Sequence, residues 1–216
     1  MNVLLKKFLR NLNDYGFLIA AKKVITYPHE KIYKRKDYLI YKKDLLKYVP
    51  NEKSNPLFEY KFYESQNINE QTVKQILAME EWLIDKINSI LKQGGLCVVA
   101  LDGDTVAGFN LVSFNEVYIP LLEMSKKFRK DQAWSEQITV SNDYRKQGLG
   151  SILRYKMFNE LKNRGFRYLY GGTMWDNWSN IELSKKVGFE IFVKVSLKRL
   201  LNNKKYTYHR IYSNQL

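Results

Sequence analysis

The sequence predicts a mixed α/β (α+β) domain preceded by a basic N-terminal extension. Three observations carry that expectation. Short β-branched and aromatic runs with period-two alternation recur between segments whose apolar residues return every three or four positions, the periods of strand and helix. Lys and Arg crowd the start of the chain: residues 1–50 hold twelve of them against four Asp and Glu, a net of +8 within a total of +14. Over residues 138–150, reading ITVSNDYRKQGLG, a β-branched strand, a glycine-containing turn and a helix start follow one another without a break.

The chain has 216 residues, 45% of them hydrophobic and 14% aromatic, enough for one domain with a substantial core plus an extension. Its one cysteine, Cys97, lies in the apolar run LCVVAL and reads as a core residue of a reducing compartment. Two histidines and that cysteine stand at no ligand spacing, so no metal is expected. No apolar run approaches the roughly 20 residues that span a bilayer. Lys6, Lys7 and Arg10 interrupt the first apolar residues too early for a signal peptide. A cytoplasmic protein is the expectation.

Residues 1–50 form the extension. Val3, Leu4, Leu5, Phe8, Leu9 and Leu12 sit at helical spacing against Lys6, Lys7 and Arg10. Such a helix either lies on an anionic membrane surface or packs its apolar face on the following domain, and the pattern leaves both open. Lys31, Lys34, Arg35 and Lys36, among Tyr27, Tyr33, Tyr38 and Tyr41, have the composition of a nucleic-acid surface, but no nucleic-acid motif accompanies them and that partner is not expected. Pro50 to Pro56, with Asn51, Ser54 and Asn55 between, marks a boundary loop.

The main domain, residues 57–216, opens with a strand over 58–63. Asn67 and Asn69 offer caps for one long helix with the stripe Val73, Ile76, Leu77, Leu83, Ile84, Ile87 and Leu91, stopped at Gly94-Gly95. A hairpin spans 96–101 and 106–114 around Asp102-Gly103-Asp104. Residues 116–130 are longer than a hairpin connection requires and read as an insertion with its own helical turn. A strand over 134–140 leads through Ser141, Asn142 and Asp143 to a helix with apolar positions Leu149, Ile152, Leu153, Met157 and Leu161. Gly165 ends it. A strand at 167–173, a short helix at 177–187 ending at Gly188, and strands at 189–199 and 205–211 complete the chain.

The passage from strand 134–140 into the helix has a phosphate-binding layout. The first N–H groups of a helix point out of its end, the macrodipole adds partial positive charge, and Gly148 and Gly150 permit close approach to the backbone. The spacing is neither a dinucleotide fingerprint nor a P-loop. The motif that stands there, R-x-x-G-x-G, resembles the pyrophosphate arm of the GNAT acetyltransferase family. A second motif agrees. The family's N-x-A-A-x-x-L-Y-x-K-x-G-F is matched by Asn177, Leu183, Lys186, Gly188 and Phe189, with Ser184 in the place of the tyrosine.

The resemblance implies a GNAT fold, with a mixed, mostly antiparallel central sheet flanked by helices, and an N-acetyltransferase that uses acetyl-CoA as cosubstrate and a small-molecule amine as acceptor. It implies that Arg145, Lys146, Gln147, Gly148, Leu149, Gly150 and Ser151 hold the pyrophosphate. Ile138, Thr139 and Val140, on a strand that splays from the next, would bond the pantetheine through unpaired backbone groups, and Asn177 would touch the same region unless it only caps its helix. The attacking amine must be unprotonated, and Glu136, the one carboxylate on that strand and in parity with Ile138 and Val140, is the candidate base; the alternative is a solvated strand glutamate. At Ser184 a family tyrosine would protonate the leaving thiolate. Here a water held by Ser184, a phenol such as Tyr168 or Tyr170, or no acid at all remains open. A GNAT-fold acyl-CoA-binding protein without turnover is the competing function. The net charge of +14 favours an anionic acceptor, such as a nucleotide-linked amino sugar, through steering.

Overall fold

A computed structural model describes residues 33–49, 54–201 and 203–211. The amphipathic pattern at residues 3–12, and with it the choice between membrane surface and domain packing, lies outside the described residues. The elements are β1 (Tyr33–Asp44), β2 (Glu59–Tyr63), α1 (Glu70–Met79), α2 (Ile87–Lys92), β3 (Leu96–Asp102), β4 (Thr105–Phe114), β5 (Glu116–Ile119), β6 (Met124–Lys127), β7 (Gln132–Val140), α3 (Leu149–Asn163), β8 (Tyr168–Met174), α4 (Trp178–Lys186), β9 (Glu190–Leu200) and β10 (Asn203–Arg210).

The described residues divide into two compact units, one within residues 38–194 with 210 and 211 and the other of residues 33–37 with those of 195–209. In the larger unit the strands run in the order β9-β1-β8-β7-β4-β3-β2. The pairs β1–β8, β2–β3, β3–β4 and β4–β7 are antiparallel, and β7–β8 is parallel. This is the mixed, mostly antiparallel sheet that the sequence leads one to expect. In the smaller unit β10 borders β9, and Ser196 donates to the Asp37 carboxylate at 2.5 Å.

Three expectations are corrected. Residues 33–44 are a strand of the sheet instead of part of a basic appendage. β1 pairs with β8 from Tyr38↔Met174 to Asp44↔Tyr168 and buries Leu39 and Tyr41, with Leu45 buried just after it. Tyrosine and β-branched content is a strand signal that the lysine count obscures. The single long helix is two: Asn69 caps α1 by accepting from Thr72 N at 2.7 Å, but Glu80 leaves helical geometry (φ −139°, ψ 76°) and a 3-10 turn over Glu81–Leu83 precedes α2. The insertion after β4 is a second, two-stranded sheet, β5 with β6, turned at Pro120 to Glu123, where Glu123 has φ 51°.

Both faces of the larger unit's sheet are covered. Ile76 of α1, Leu83 of the turn after it, and Ile87 and Leu91 of α2 pack with Val99, Phe109 and Leu111 on one side. Leu153, Met157, Phe158 and Leu161 of α3 and Ile181 of α4 pack with Leu39, Tyr41, Val98 and Leu169 on the other. β3 is buried from Leu96 to Leu101, and Cys97 is fully enclosed, so burial pushes its thiol pKa up.

Candidate active site

The site begins where β7 and β8 part. Their parallel pairing runs from Gln132↔Tyr168 to Trp134↔Tyr170 and stops, although β7 continues to Val140 and β8 to Met174. The opposite edge of β7 stays paired with β4 as far as Gly108↔Val140. Between Val112↔Ser135 and Leu111↔Gln137 the register shifts, leaving Glu136 as an extra residue, and a bulge of this kind bends and twists its strand. Gly171 lets β8 stand close to β7 at the opening, where an added Cβ would lie 3.3 Å from Ser135 Cβ, and Gly172 leaves room for the Tyr38 ring of β1, which a Cβ there would strike. The backbone edge of β7 at Ile138 and Val140 thus faces a slit in place of a neighbouring strand, while the backbone of Thr139 between them faces β4.

The bulge also corrects the parity argument for Glu136. Ile138 and Val140 pack against the α3 side of the sheet, whereas Glu136 accepts from Ser113 Oγ at 2.6 Å and senses Lys86, which precedes α2. Its carboxyl pKa is raised, chiefly by burial, with the Ser113 bond and the Lys86 charge opposing. A solvated strand glutamate would show no such shift. Beside it on β7, Gln137 and Thr139 donate to Oε1 of Glu80 at 3.0 and 2.8 Å, and Trp82 donates to Oε2 at 3.0 Å. The break between α1 and α2 therefore brings a second carboxylate over the strand, one that sequence periodicity ran straight through.

At the far end of β7 the chain makes a 3-10 turn over Asn142–Tyr144, extends at Arg145, turns left-handed at Lys146 (φ 65°) and again at Gly148 (φ 75°), and enters α3. No side chain caps the first turn of α3. Nothing lies within 4 Å of a Cβ built at Gly148, while one at Gly150 would touch Leu183 and Val140 at 3.7 and 3.8 Å. Gly148 is the residue that opens the turn, and Gly150 faces inward. Arg145 Nε donates to Val140 O at 3.2 Å, which holds the exposed guanidinium at the mouth of the slit. Lys146, Gln147 and Ser151 line the same turn, while Leu149 turns into the core. Uncapped N–H groups, an open backbone and a tethered arginine suit a pyrophosphate.

Asn177 is the α4 cap: its Oδ1 accepts from Asn180 N at 3.2 Å and Ser179 Oγ at 3.0 Å. Ser184 is 1% exposed and donates to Asn180 Oδ1 at 3.2 Å. Tyr168 and Tyr170 share one face of β8, as alternation requires, with ring centroids 6.3 Å apart. They are not among the residues that line the slit. The phenol there is Tyr41 of β1, in a cavity of about 70 Å³ with Ser135, Glu136, Arg154, Gly171, Asn180, Ser184 and Phe189. Arg154 went unnoticed in the sequence, although its spacing to Phe158 and Leu161 places a charge on the inward face of α3. Among the described residues no helix is long and apolar enough to cross a membrane, and no group of three His, Cys, Asp or Glu is placed to hold a metal.

A sequence profile of the Acetyltransferase (GNAT) family matches residues 59–189. No curated protein sequence matches the chain significantly. Among solved structures the chain is similar to a tandem GNAT protein from the clavulanic acid biosynthesis pathway (14% identity, TM-score 0.58, covering 79% of this chain and 55% of that one). It is also similar to a GCN5-related N-acetyltransferase from Sphaerobacter thermophilus (14% identity, TM-score 0.57, covering 88% and 58%). The chain therefore spans little more than half the length of either. At these identities the likeness shows the fold.

Proposed function

Because the chain belongs to the GNAT acetyltransferase family, we propose that it transfers the acetyl group of acetyl-CoA to the primary amine of a small molecule by direct attack. The observation that carries this reading is the slit where β7 leaves β8, with the uncapped turn of α3 at its mouth and half-buried Glu136 at its bulge.

Acetyl-CoA supplies an acyl group activated as a thioester. The residues present fit it: the turn from Lys146 to Gly150 offers backbone donors and Arg145 one cation to a pyrophosphate, while Arg145 N and Ser151 N already donate within the turn, and the β7 edge at Ile138 and Val140 offers backbone groups to an amide-bearing chain. The acceptor amine reaches Glu136 at the bulge of β7. An alkyl ammonium titrates near 10 and is mostly protonated at neutral pH. Glu136 takes its proton, directly or through one water, and burial makes that carboxylate a stronger base than a solvated one. The net charge of +14 favours an acceptor with anionic groups.

The test is release of free CoA from acetyl-CoA in the presence of amino sugars, polyamines, amino acids and peptides. Amine-dependent release that Glu136→Gln lowers by about 10² or more is expected. Binding of acetyl-CoA without release for any amine would leave the non-catalytic acyl-CoA-binding function instead.

A further inference from the structure

Arg154 is 5% exposed, yet no carboxylate pairs with it among the described residues. Its Nη2 donates to Asn180 Oδ1 at 3.3 Å and its guanidinium lies 5.4 Å from the Phe189 ring centroid, while its Nε has no partner. Tyr41 Oη, on the same cavity, is also buried without a partner. A buried guanidinium lacking a counter-charge is among the least favourable arrangements in a fold, and burial draws its pKa down to about 10, leaving it charged at neutral pH. A water could occupy the orphan donors but would leave the charge uncompensated.

We infer that Arg154 and Tyr41, braced by Asn180 and Ser184, form a carboxylate-binding subsite within the slit, so that one of the two substrates carries a carboxylate there. The inference rests on the reading of the slit as an acyl-CoA site. A carboxylate fits on three counts. Its single charge matches the single cation, whereas a phosphate would bring two. Its two oxygens match the orphan Nε and the orphan phenol. Its size suits a cavity of about 70 Å³ that Gly171 keeps free of a side chain. The position adds a fourth: Asn180 and Ser184 of α4 stand where the resembled motif has alanine and tyrosine, so a polar cluster around a cation replaces a phenol. The carboxylate comes either from the acyl group, as an ω-carboxyacyl thioester, or from the acceptor, as the α-carboxylate of an amino acid.

Paired ligands separate the two sources in the full-length chain. Calorimetric affinity is measured for succinyl-CoA against butyryl-CoA, and CoA release is measured for phenylalanine and lysine against phenethylamine and cadaverine. The expected result is a preference of about tenfold or more for the carboxylate-bearing member in one arm, reduced to near parity by Arg154→Met and weakened by Tyr41→Phe. Equal treatment of both members in both arms by the wild type overturns the inference without any variant. So does an Arg154→Met protein that keeps the preference or loses affinity and rate equally for every ligand. If Arg154→Met does not fold, the wild-type pairs and Tyr41→Phe decide. A wild type that transfers acetyl groups but ignores the carboxylate removes the subsite alone. A wild type that binds no CoA thioester removes the acetyl-transfer reading with it.

Discussion

Ser113 Oγ donates to Glu136 Oε1 at 2.6 Å, across the β4–β7 pair at the one place where β7 carries an extra residue. The bond fixes the carboxylate on the face away from α3, and burial raises its pKa. Glu136→Gln should therefore lower turnover at neutral pH by about 10² or more and erase the acidic limb of the pH–rate profile.

Stability should move the other way. A carboxyl group whose folded pKa lies above its unfolded value, about 4.3 for glutamate, contributes stability below that value and loses it as pH rises through the folded one. Glu136→Gln should thus melt above wild type at pH 8 and show no gain at pH 4. A variant that melts lower at pH 8 would mean that the charged form is the one the fold favours.

The two glycines of the turn should separate. Gly148 sits at φ 75° with open space around it, so Gly148→Ala strains the backbone by about 1–2 kcal/mol and weakens coenzyme binding. Gly150 has ordinary contacts waiting for a Cβ, so Gly150→Ala should stabilise α3 by about 0.5–1 kcal/mol and leave coenzyme affinity alone. Melting temperature and calorimetric titration of both variants check this.

Ser184 has its hydroxyl bonded to Asn180 and buried, which disfavours it as a direct acid for a thiolate. Ser184→Ala should cost less than about tenfold in turnover, or roughly 1.4 kcal/mol. Steady-state rates with Ser184→Ala beside Tyr170→Phe would show it. A loss of about 10³ in either would reassign the acid.

Truncation tests the N-terminal correction. Removing residues 1–32 leaves β1 intact, whereas removing residues 1–50 deletes the strand between β8 and β9 along with buried Leu39, Tyr41 and Leu45. The longer deletion should abolish cooperative unfolding measured by circular dichroism.

What the sequence made legible follows from how local each signal is. R-x-x-G-x-G and the 177–189 register are contiguous, and each turn, cap and helix start they imply is present. β1 was hidden because net charge over fifty residues says nothing about alternation within twelve. The end of α1 was hidden because Leu83, Ile84 and Ile87 continue the helical period past Glu80, and only the carboxylate's bonds to Gln137, Thr139 and Trp82 explain the break. The bulge at Glu136 is a property of two strands, so strict alternation along one of them assigned the side chain to the wrong face. Arg154 and Tyr41 meet through tertiary packing across a separation no motif spans.

The slit and the α3 turn carry the functional reading, and a melting experiment with acetyl-CoA tests them most directly. At 100 times its dissociation constant a ligand of the folded state adds about 2.7 kcal/mol. In a chain of this length that is a rise of about 5–10 °C. The account predicts that rise for the wild type and its loss in a chain carrying both Arg145→Glu and Gly148→Val. An unchanged melting temperature at saturating acetyl-CoA would contradict it.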